Sequence, residues 1–265
     1  ELFADSGYEI KEFTEVADVY VINTCSVTNM GDRKSRQIIR RAKKLNPNAV
    51  IAVTGCYAQT APDEVLAIEG VNLVLGTKDR KNIVTLVEEL NTESNINHVS
   101  DIMSNHEFEE LQIKQYSNRT RAFIKIQEGC NQFCSYCIIP YARGPVRSRA
   151  KDDVVREMKE LAYNGFKGII LVGIHVASYG VDLGDTTLES LIMDVDKIDG
   201  VERIRLSSIE PMTLNQEFID SIKDSKKLCH HFHISLQSGC DETLKRMNRK
   251  YTTAQFKGIV DGLRE

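Results

Sequence analysis

Residues 121–137 read Arg-Ala-Phe-Ile-Lys-Ile-Gln-Glu-Gly-Cys-Asn-Gln-Phe-Cys-Ser-Tyr-Cys, and this stretch decides the fold. Residues 121–127 predict a β-strand, and Cys130, Cys134 and Cys137 follow it within eight residues. A structural zinc site takes four protein ligands, and a closed [4Fe-4S] centre takes four thiolates. Because three sulfurs leave one position free, the loop predicts a cluster with an open iron, with a zinc knuckle as the alternative.

The composition is that of an ordinary globular protein. The chain has 265 residues, 42% of them hydrophobic and 27% charged, which is enough for one large or two ordinary domains. It has neither a run of about 18 apolar residues nor a charged-then-apolar leader, so neither membrane spanning nor secretion is predicted. Seven cysteines, an odd number, favour reduced thiols and metal ligation over disulfides. We therefore predict a cytoplasmic protein without a membrane partner, and the sequence carries no signal for its oligomeric state.

Residues 1–91 alternate strand-like and helix-like segments. Strands are predicted at 19–23, 50–54 and 73–75, and helices at 32–45, 62–68 and 81–90. This order predicts a parallel, flavodoxin-like sheet with helices outside it. Cys25 and Cys56 each follow a strand, at the carboxyl edge where such sheets bind their ligands. Buried free thiols are the alternative for both.

Residues 92–118 are polar and without a period, which predicts a linker. From residue 119 onward, strands are predicted at 121–127, 168–172, 203–207 and 231–236. Helices are predicted at 152–164, 188–198 and 215–223, and from 241 to 265. Four successive β/α units predict a barrel or a long doubly wound sheet.

The side chains of these strands separate by face. Ile204 and Leu206 oppose Arg203 and Arg205, and the first and last of the four strands follow the same alternation. With helices on the apolar face, the polar face lines a solvated interior, which indicates a partial rather than a closed barrel. For the two histidines of the last predicted strand, His231 and His233, lining this interior is favoured over metal ligation.

The cysteine loop resembles that of the radical S-adenosylmethionine (SAM) enzymes, which follows the first strand of a partial (β/α)6 barrel. An aromatic residue such as Tyr136 commonly precedes the third cysteine there. The upstream residues are similar to the methylthiotransferases within that superfamily. The matching stretches are Asn23-Thr24-Cys25, Gly55-Cys56-Tyr57-Ala58-Gln59, Glu128-Gly129-Cys130-Asn131, Cys137-Ile138-Ile139-Pro140, Arg143-Gly144 and Arg147-Ser148-Arg149.

The resemblance implies three regions: an N-terminal domain at 1–91, a linker at 92–118 and a radical SAM barrel at 119–265. It also implies a chain truncated at both ends. Family members open with a strand and a Gly-Cys motif that supplies the first ligand of an N-terminal cluster, and this chain begins after that point. It ends before the last two barrel strands and the small RNA-binding domain of the family.

The resemblance also implies two [4Fe-4S] clusters in the full-length protein. Cys130, Cys134 and Cys137 would bind one, whose open iron chelates SAM and receives an electron from an external donor. The resulting 5'-deoxyadenosyl radical would remove a hydrogen from C2 of a tRNA adenine. Cys25, Cys56 and a missing cysteine would hold the second cluster, with the sulfur that is methylated by another SAM and inserted. No side chain is assigned as catalytic.

Further residues are expected to contact SAM and RNA. The resemblance implies SAM contacts for Gly173, Ile174, Glu210 and Gln237, which follow barrel strands. The RNA, a tRNA anticodon stem-loop, is expected to meet basic residues near the cysteines, although a solvated helix face or structural ion pairs would explain some of them equally well. These residues are Arg143, Arg147, Arg149, Arg33, Arg36 and Arg40.

Three stretches resemble one branch of the family, which methylthiolates N6-threonylcarbamoyladenosine next to the anticodon. They are Gly173-Ile174-His175, Ser207-Ser208-Ile209-Glu210-Pro211 and Leu236-Gln237-Ser238-Gly239-Cys240-Asp241. The alternatives are the same chemistry on isopentenyladenosine in tRNA or on a ribosomal-protein aspartate. A non-enzymatic alternative is an iron-sulfur, redox-sensing RNA-binding module.

Overall fold

The computed structural model describes residues 1–26, 29–90, 93–110 and 121–265. The chain divides into two compact units. The first comprises Glu1–Asn105 and Cys137–Gly144, and the second comprises 106–110, 121–136 and Pro145–Glu265. The predicted domain boundary at residues 118 and 119 lies outside the described residues. Within the described ranges, no helix has the length and apolar character needed to cross a membrane.

The first unit is built on a parallel sheet, as predicted, but with four strands instead of the three predicted. Its strands lie in the order β1 (Val19–Thr24), β2 (Val50–Gly55), β3 (Leu73–Leu75) and β4 (Ile96–His98). Its helices are α1 (Leu2–Asp5), α2 (Asn29–Leu45), α3 (Cys56–Thr60), α4 (Pro62–Leu66), α5 (Ile83–Glu88) and, from later in the chain, α6 (Ile139–Arg143). Short 3-10 turns lie at Arg80–Asn82 and Ile102–Ser104.

The prediction of a linker at 92–118 is wrong for residues 96–98, because they form strand β4. Ile96–His98 pairs in parallel with β3, and the Ile96 amide donates to the carbonyl of Asn72 at 2.9 Å. All three residues of β4 are exposed, so the strand carries no alternating pattern that a sequence could reveal.

Apolar side chains cover both faces of the first sheet. One cluster includes Ile39 of α2 with Ile51 and Val53 of β2, and another includes Ala52 and Leu73 with the buried side of α5. Strand β2 is therefore buried at consecutive positions, as expected for a parallel strand between two layers of helices. This burial fixes the carboxyl edge of the sheet, where Cys25 and Cys56 follow their strands.

The second unit contains a curled half-barrel sheet, which confirms the predicted fold class. Its strands are β5 (Arg121–Glu128), β6 (Arg147–Ser148), β7 (Gly168–Gly173) and β8 (Arg203–Leu206), in the order β6-β5-β7-β8. Strand β6 is antiparallel to β5, and the other pairs are parallel. The helices are α7 (Lys151–Tyr163), α8 (Leu188–Val195), α9 (Gln216–Ile222), α10 (Asp241–Arg246) and α11 (Thr253–Gly262), with 3-10 turns at Val176–Ser178 and Pro211–Thr213.

The predicted separation of faces is confirmed along β8. Ile204 and Leu206 are buried in the core with helix residues such as Met158, Leu191 and Phe218, all of which are fully buried. The arginines that alternate with them along β8 stay outside the core. Burying one such apolar side chain contributes roughly 2 kcal/mol, so the helices hold the sheet by its apolar face.

The fourth strand predicted at 231–236 is not a regular strand. The chain passes beside β8 through two isolated parallel bridges, Ile204 with Leu228 and Ile209 with Ile234. Between them the His231 amide donates back to the carbonyl of residue 229 at 2.7 Å, and this tight turn interrupts the ladder. The side-chain alternation nevertheless holds, because Ile234 packs against the core.

Candidate functional site

The entry to the cysteine loop is held by Gln127, a fully buried side chain at the end of β5. Its Nε2 donates to the carbonyls of Glu128 (2.7 Å) and Gly129 (2.8 Å), and its Oε1 accepts from the His175 amide (2.7 Å). A Cβ at Gly173 would lie 3.0 Å from Gln127 Cβ and Oε1, so the glycine leaves room for this amide. Gln127 thus joins the start of the loop to the turn after β7.

The middle of the loop is held by the segment that follows α10. The Ser135 amide and hydroxyl donate to the carbonyls of Met247 (3.2 Å) and Arg246 (3.0 Å). Asn248 Nδ2 donates to the Phe133 carbonyl at 2.9 Å. Phe133 and Asn248 both adopt left-handed backbone angles, with φ of 47° and 57°, which is uncommon for residues other than glycine. Residues 246–248 therefore fix a loop conformation that its local sequence does not favour.

Arg249 links the loop to Glu210, in the segment that follows β8. Its Nη1 donates to Cys134 Sγ at 3.2 Å, and its Nη2 contacts both oxygens of Glu210, at 2.8 and 2.6 Å. The guanidinium lies over the Tyr251 ring, 5.3 Å from its centroid, and the Tyr251 hydroxyl is 2.8 and 2.7 Å from the carbonyls of residues 235 and 236. Burial acts to lower the pKa of Arg249, but the bond to the Cys134 sulfur and the charge of Glu210 outweigh it and raise that pKa. Sequence reasoning missed Arg249 and Tyr251, because no local pattern marks them.

The donor chemistry of the loop fits a three-thiolate cluster. Cys130, Cys134 and Cys137 are all half-buried thiols without disulfides, and a guanidinium donor already contacts one sulfur. Hydrogen bonds to ligand sulfurs orient the ligands of iron-sulfur clusters and tune their potentials. Over the described ranges, no group of three or more His, Cys, Asp or Glu side chains is arranged as a set of metal ligands. The assignment of the three cysteines therefore stays a prediction that rests on donor chemistry and on the position of the loop.

The residues predicted to contact SAM lie at the carboxyl end of the same sheet or just beyond it. Gly173 ends β7, and the next side chain, Ile174, is 38% exposed. Glu210 is tied to the cysteine loop through Arg249, and its Oε2 lies 3.9 Å from the Nε2 of His175. That buried His175 nitrogen has no hydrogen-bond partner within the described residues. Gln237 is exposed and has a left-handed φ of 64°. Their contacts with SAM remain predictions.

In the first unit, Cys25 and Cys56 follow adjacent strands at one edge. The register pairs Thr24 with Gly55, the two residues that directly precede these cysteines. Gly55 has a φ of 97°, and a Cβ there would lie 2.3 Å from the carbonyl oxygen of Thr24 and 2.5 Å from Asn23 Oδ1. Only glycine fits this turn, after which the buried Cys56 begins α3 and the exposed Cys25 leaves β1. The two cysteines thus directly follow paired positions on adjacent strands.

The chain that follows the third cysteine of the loop also belongs to this unit. Cys137 leads into α6, which packs against α3, the helix that begins at Cys56. Thr77 Oγ1 donates to the carbonyl of Ala142 at 2.8 Å, and Gln59 Oε1 accepts from the Thr77 amide at 2.8 Å. Within the first unit, the helix after Cys137 therefore lies against the helix that begins at a predicted ligand of the second cluster.

The arginines of α2 form part of an exposed basic surface. Arg33 and Arg40 are exposed, whereas Arg36 is half-buried and donates to the Tyr57 hydroxyl at 3.0 Å. Tyr57 in turn donates to Glu64 at 3.1 Å. Arg33 and Arg40 are thus available to a phosphate backbone, and Arg36 is tied to the residue that follows Cys56.

Arg149, for which an RNA contact was predicted, is buried. Its guanidinium pairs with Glu157 and, at 3.3 Å, with Glu110, so it has a structural role. Arg147 is also buried, at 2% exposure, and donates to the carbonyl of residue 145 at 3.1 Å. Arg143 is half-buried at the end of α6. The burial of Arg147 and Arg149 could not be predicted from residue type, because it depends on how the helices pack.

A basic cavity of about 480 Å³ lies at the opposite end of the second sheet. Arg121, Lys167 and Arg203, which line it, stand at the amino-terminal ends of strands or just before them. The cysteine loop follows the carboxyl end of β5, where parallel α/β folds place their ligands. The loop therefore lies at the end of the sheet where such folds bind ligands, and this cavity lies at the other end.

The half-barrel and the three-cysteine loop after its first strand define the class of protein. The chain belongs to the radical SAM superfamily, which matches residues 124–265, and residues 1–76 match the uncharacterized protein family UPF0004. A structure of the radical SAM methyltransferase TsrM from Kitasatospora setae, with cobalamin and a [4Fe-4S] cluster bound, shares the fold with a TM-score of 0.67. The two sequences are 16% identical, and the match covers 99% of this chain and 62% of the TsrM chain.

Two curated relatives match almost the whole chain. It is 48% identical to the Threonylcarbamoyladenosine tRNA methylthiotransferase MtaB of Bacillus subtilis, over 100% of this chain and 59% of the relative. It is 38% identical to the tRNA-2-methylthio-N(6)-dimethylallyladenosine synthase of Thermoanaerobacter pseudethanolicus, over 97% of this chain and 56% of the relative. The chain thus spans less than two thirds of the length of these relatives.

Proposed function

We propose that this chain is part of a tRNA methylthiotransferase that acts on N6-threonylcarbamoyladenosine next to the anticodon. The observation that carries the proposal is the three-cysteine loop after β5, held by Gln127 and by residues 246–249 at the carboxyl end of a radical SAM half-barrel. The higher identity to the threonylcarbamoyladenosine enzyme, 48% against 38%, supports this branch over the dimethylallyladenosine one. The protein would act in the cytoplasm on the anticodon stem-loop.

Cys130, Cys134 and Cys137 would hold a [4Fe-4S] cluster. When this cluster and SAM are bound, they supply the one-electron chemistry that yields a 5'-deoxyadenosyl radical able to activate C2 of the adenine, with the electron coming from an external donor. Gln127 keeps the start of the loop next to the turn at 173–175. Gly173 and Ile174 would offer SAM a strand end without a long polar side chain, and Gln237 and the oxygens of Glu210 would accept its hydroxyl or amino protons.

Cys25 and Cys56 would supply two thiolates of a second [4Fe-4S] cluster. Their support is the shared edge of β1 and β2 and the glycine turn at Gly55. The exposed arginines Arg33 and Arg40 would bind RNA phosphates beside this edge, with affinity that falls as salt rises.

Nucleoside mass spectrometry tests the proposal. A strain that lacks the gene is complemented with the full-length protein, its Cys134→Ala variant or its Cys240→Ala variant. Cys240 is an exposed cysteine outside the loop and serves as the matched control. We expect 2-methylthio-N6-threonylcarbamoyladenosine to be absent from the deletion strain, restored by the wild type and by Cys240→Ala, and not restored by Cys134→Ala.

The other outcomes assign the alternatives. Unchanged threonylcarbamoyladenosine methylthiolation in the deletion strain would overturn the proposed substrate, and loss of the methylthio-isopentenyladenosine instead would assign the other tRNA branch. For the redox-sensor alternative, the full-length protein is reconstituted without oxygen and mixed with SAM and reductant. Production of 5'-deoxyadenosine would support the enzyme hypothesis. A protein that binds a cluster but produces no 5'-deoxyadenosine would support the redox-sensor hypothesis.

A further inference from the structure

The Arg249 guanidinium occupies a position between a cysteine sulfur and a carboxylate. We infer that Arg249 is a positioning residue for the cysteine loop, and that the Arg249–Glu210 pair sets the reduction potential of the cluster that the loop would hold. The inference on potential rests on the proposed function, because it needs the cluster, whereas the positioning of the loop does not.

Burial of the Arg249–Glu210 pair strengthens the electrostatic effect of its two charges. The Arg249 side chain is 7% exposed and that of Glu210 is 12% exposed, and two hydrogen bonds of 2.8 and 2.6 Å join them. Charges in such a site are screened far less than surface charges. A third bond from the same guanidinium, 3.2 Å long, ends on Cys134 Sγ. Arg249 is therefore fixed in the one orientation that points a cationic donor at a predicted cluster ligand.

The sign of each partner's effect follows from electrostatics. Reduction makes a cluster more negative, so a nearby cation and a hydrogen bond to a ligand sulfur stabilise the reduced form and raise the potential. A nearby carboxylate does the opposite. Replacing Arg249 and replacing Glu210 should therefore shift the potential in opposite directions.

A purely structural role predicts something else. The bonds from Ser135 and Asn248 tie the loop to residues 246–248 through backbone carbonyls, and none of them uses the Arg249 side chain. These bonds keep the loop attached to residues 246–248 when the guanidinium is changed, so loss of Arg249 loosens the loop without releasing it. If Arg249 were only one more structural contact, removal of Arg249 or of Glu210 would loosen the loop. The direction of the shift in reduction potential would then not follow the charge that was removed.

The experiment compares Arg249→Gln, Arg249→Lys and Glu210→Gln in the reconstituted full-length protein, by redox titration followed by electron paramagnetic resonance. Lys245→Gln removes the same charge from an exposed site on α10 and is the control. We expect a lower midpoint potential for Arg249→Gln, a higher one for Glu210→Gln, and values near wild type for Arg249→Lys and Lys245→Gln. Unchanged potentials, or shifts of the same sign in both glutamine variants, would overturn the inference on potential.

Hydrogen exchange of the protein without iron provides the second measurement. Arg249→Gln should speed amide exchange at residues 133–136 several-fold, and Lys245→Gln should leave it unchanged. Equal exchange rates would overturn the positioning role. If the wild type takes up no iron, the proposed function fails and the potential inference fails with it, while exchange still decides the positioning role of Arg249.

Discussion

Replacing Gln127 by alanine tests whether this one amide holds the entry of the cysteine loop. The variant loses the donor to the carbonyls of Glu128 and Gly129 and the acceptor of the His175 amide. Each hydrogen bond contributes about 1 kcal/mol, and buried groups left without a partner cost more. Because the side chain is fully buried, water does not replace these bonds, and we expect a loss of about 3 kcal/mol in the free energy of unfolding.

Two further variants separate the contributions. Gln127→Glu keeps the shape and the acceptor for His175 but, when ionised, cannot donate to the two carbonyls, so it should cost at least as much as alanine at neutral pH. Gln132→Ala removes the same kind of side chain from the same loop. No hydrogen bond of the Gln132 side chain is found in the described part of the chain, and the expected change is below about 0.5 kcal/mol.

Urea unfolding followed by circular dichroism gives the free energies, and hydrogen exchange gives the location. Exchange should accelerate at residues 129–134 and 173–176 in Gln127→Ala and stay unchanged in Gln132→Ala. A Gln127→Ala protein within about 0.5 kcal/mol of wild type, with normal exchange at both turns, would refute the view that this amide couples them.

Three more predictions concern stability, each measured by urea unfolding. Gly55→Ala should cost about 3 kcal/mol or more, because the added Cβ would lie 2.3 Å from a carbonyl oxygen. Gly184→Ala, with a φ of 79° and no neighbour within 4 Å, should cost only about 1 kcal/mol for its backbone angle. Equal costs for the two variants would contradict the steric clash at Gly55. Glu157→Gln should cost about 3 kcal/mol because it leaves the buried Arg149 cation under-compensated, and a neutral result would show that the ion pair is dispensable. For Asp196, burial acts to raise the carboxyl pKa, but hydrogen bonds from residues 225–227 outweigh it and lower that pKa. The stabilisation from its charge is therefore present above the ordinary carboxyl pKa and lost as pH falls through the lowered one. Asp196→Ala should thus cost about 1 kcal/mol more at neutral pH than in acid, and a cost independent of pH would refute this.

The sequence predicted the fold where a pattern repeats. The alternation of Arg203, Ile204, Arg205 and Leu206 gave the correct buried face of β8, because a strand packed on one side by helices must alternate. The three-cysteine loop was placed correctly at the end of β5, since a strand pattern ended directly before it. The sequence did not predict strand β4, because its three residues are all exposed and show no hydrophobic alternation.

Contacts between distant residues could not be predicted in this way. The bond from Asn248 to the Phe133 carbonyl spans 115 residues, and so does the bond from Arg249 to Cys134. Neither leaves a local signature, because both depend on how helices pack on the completed sheet. The same packing buried Arg149, which residue type alone had suggested for an RNA surface.

The long separation between the cysteine loop and its clamp at residues 246–249 has a consequence for biosynthesis. A chain emerging from the ribosome makes the three cysteines more than a hundred residues before the segment that fixes their loop. Until that segment has been translated and has folded against the loop, the thiols lack the restraint that residues 246–249 provide. We therefore expect iron insertion to follow translation of this segment, so that a nascent chain stopped before residue 246 would be a poor acceptor for iron and sulfide.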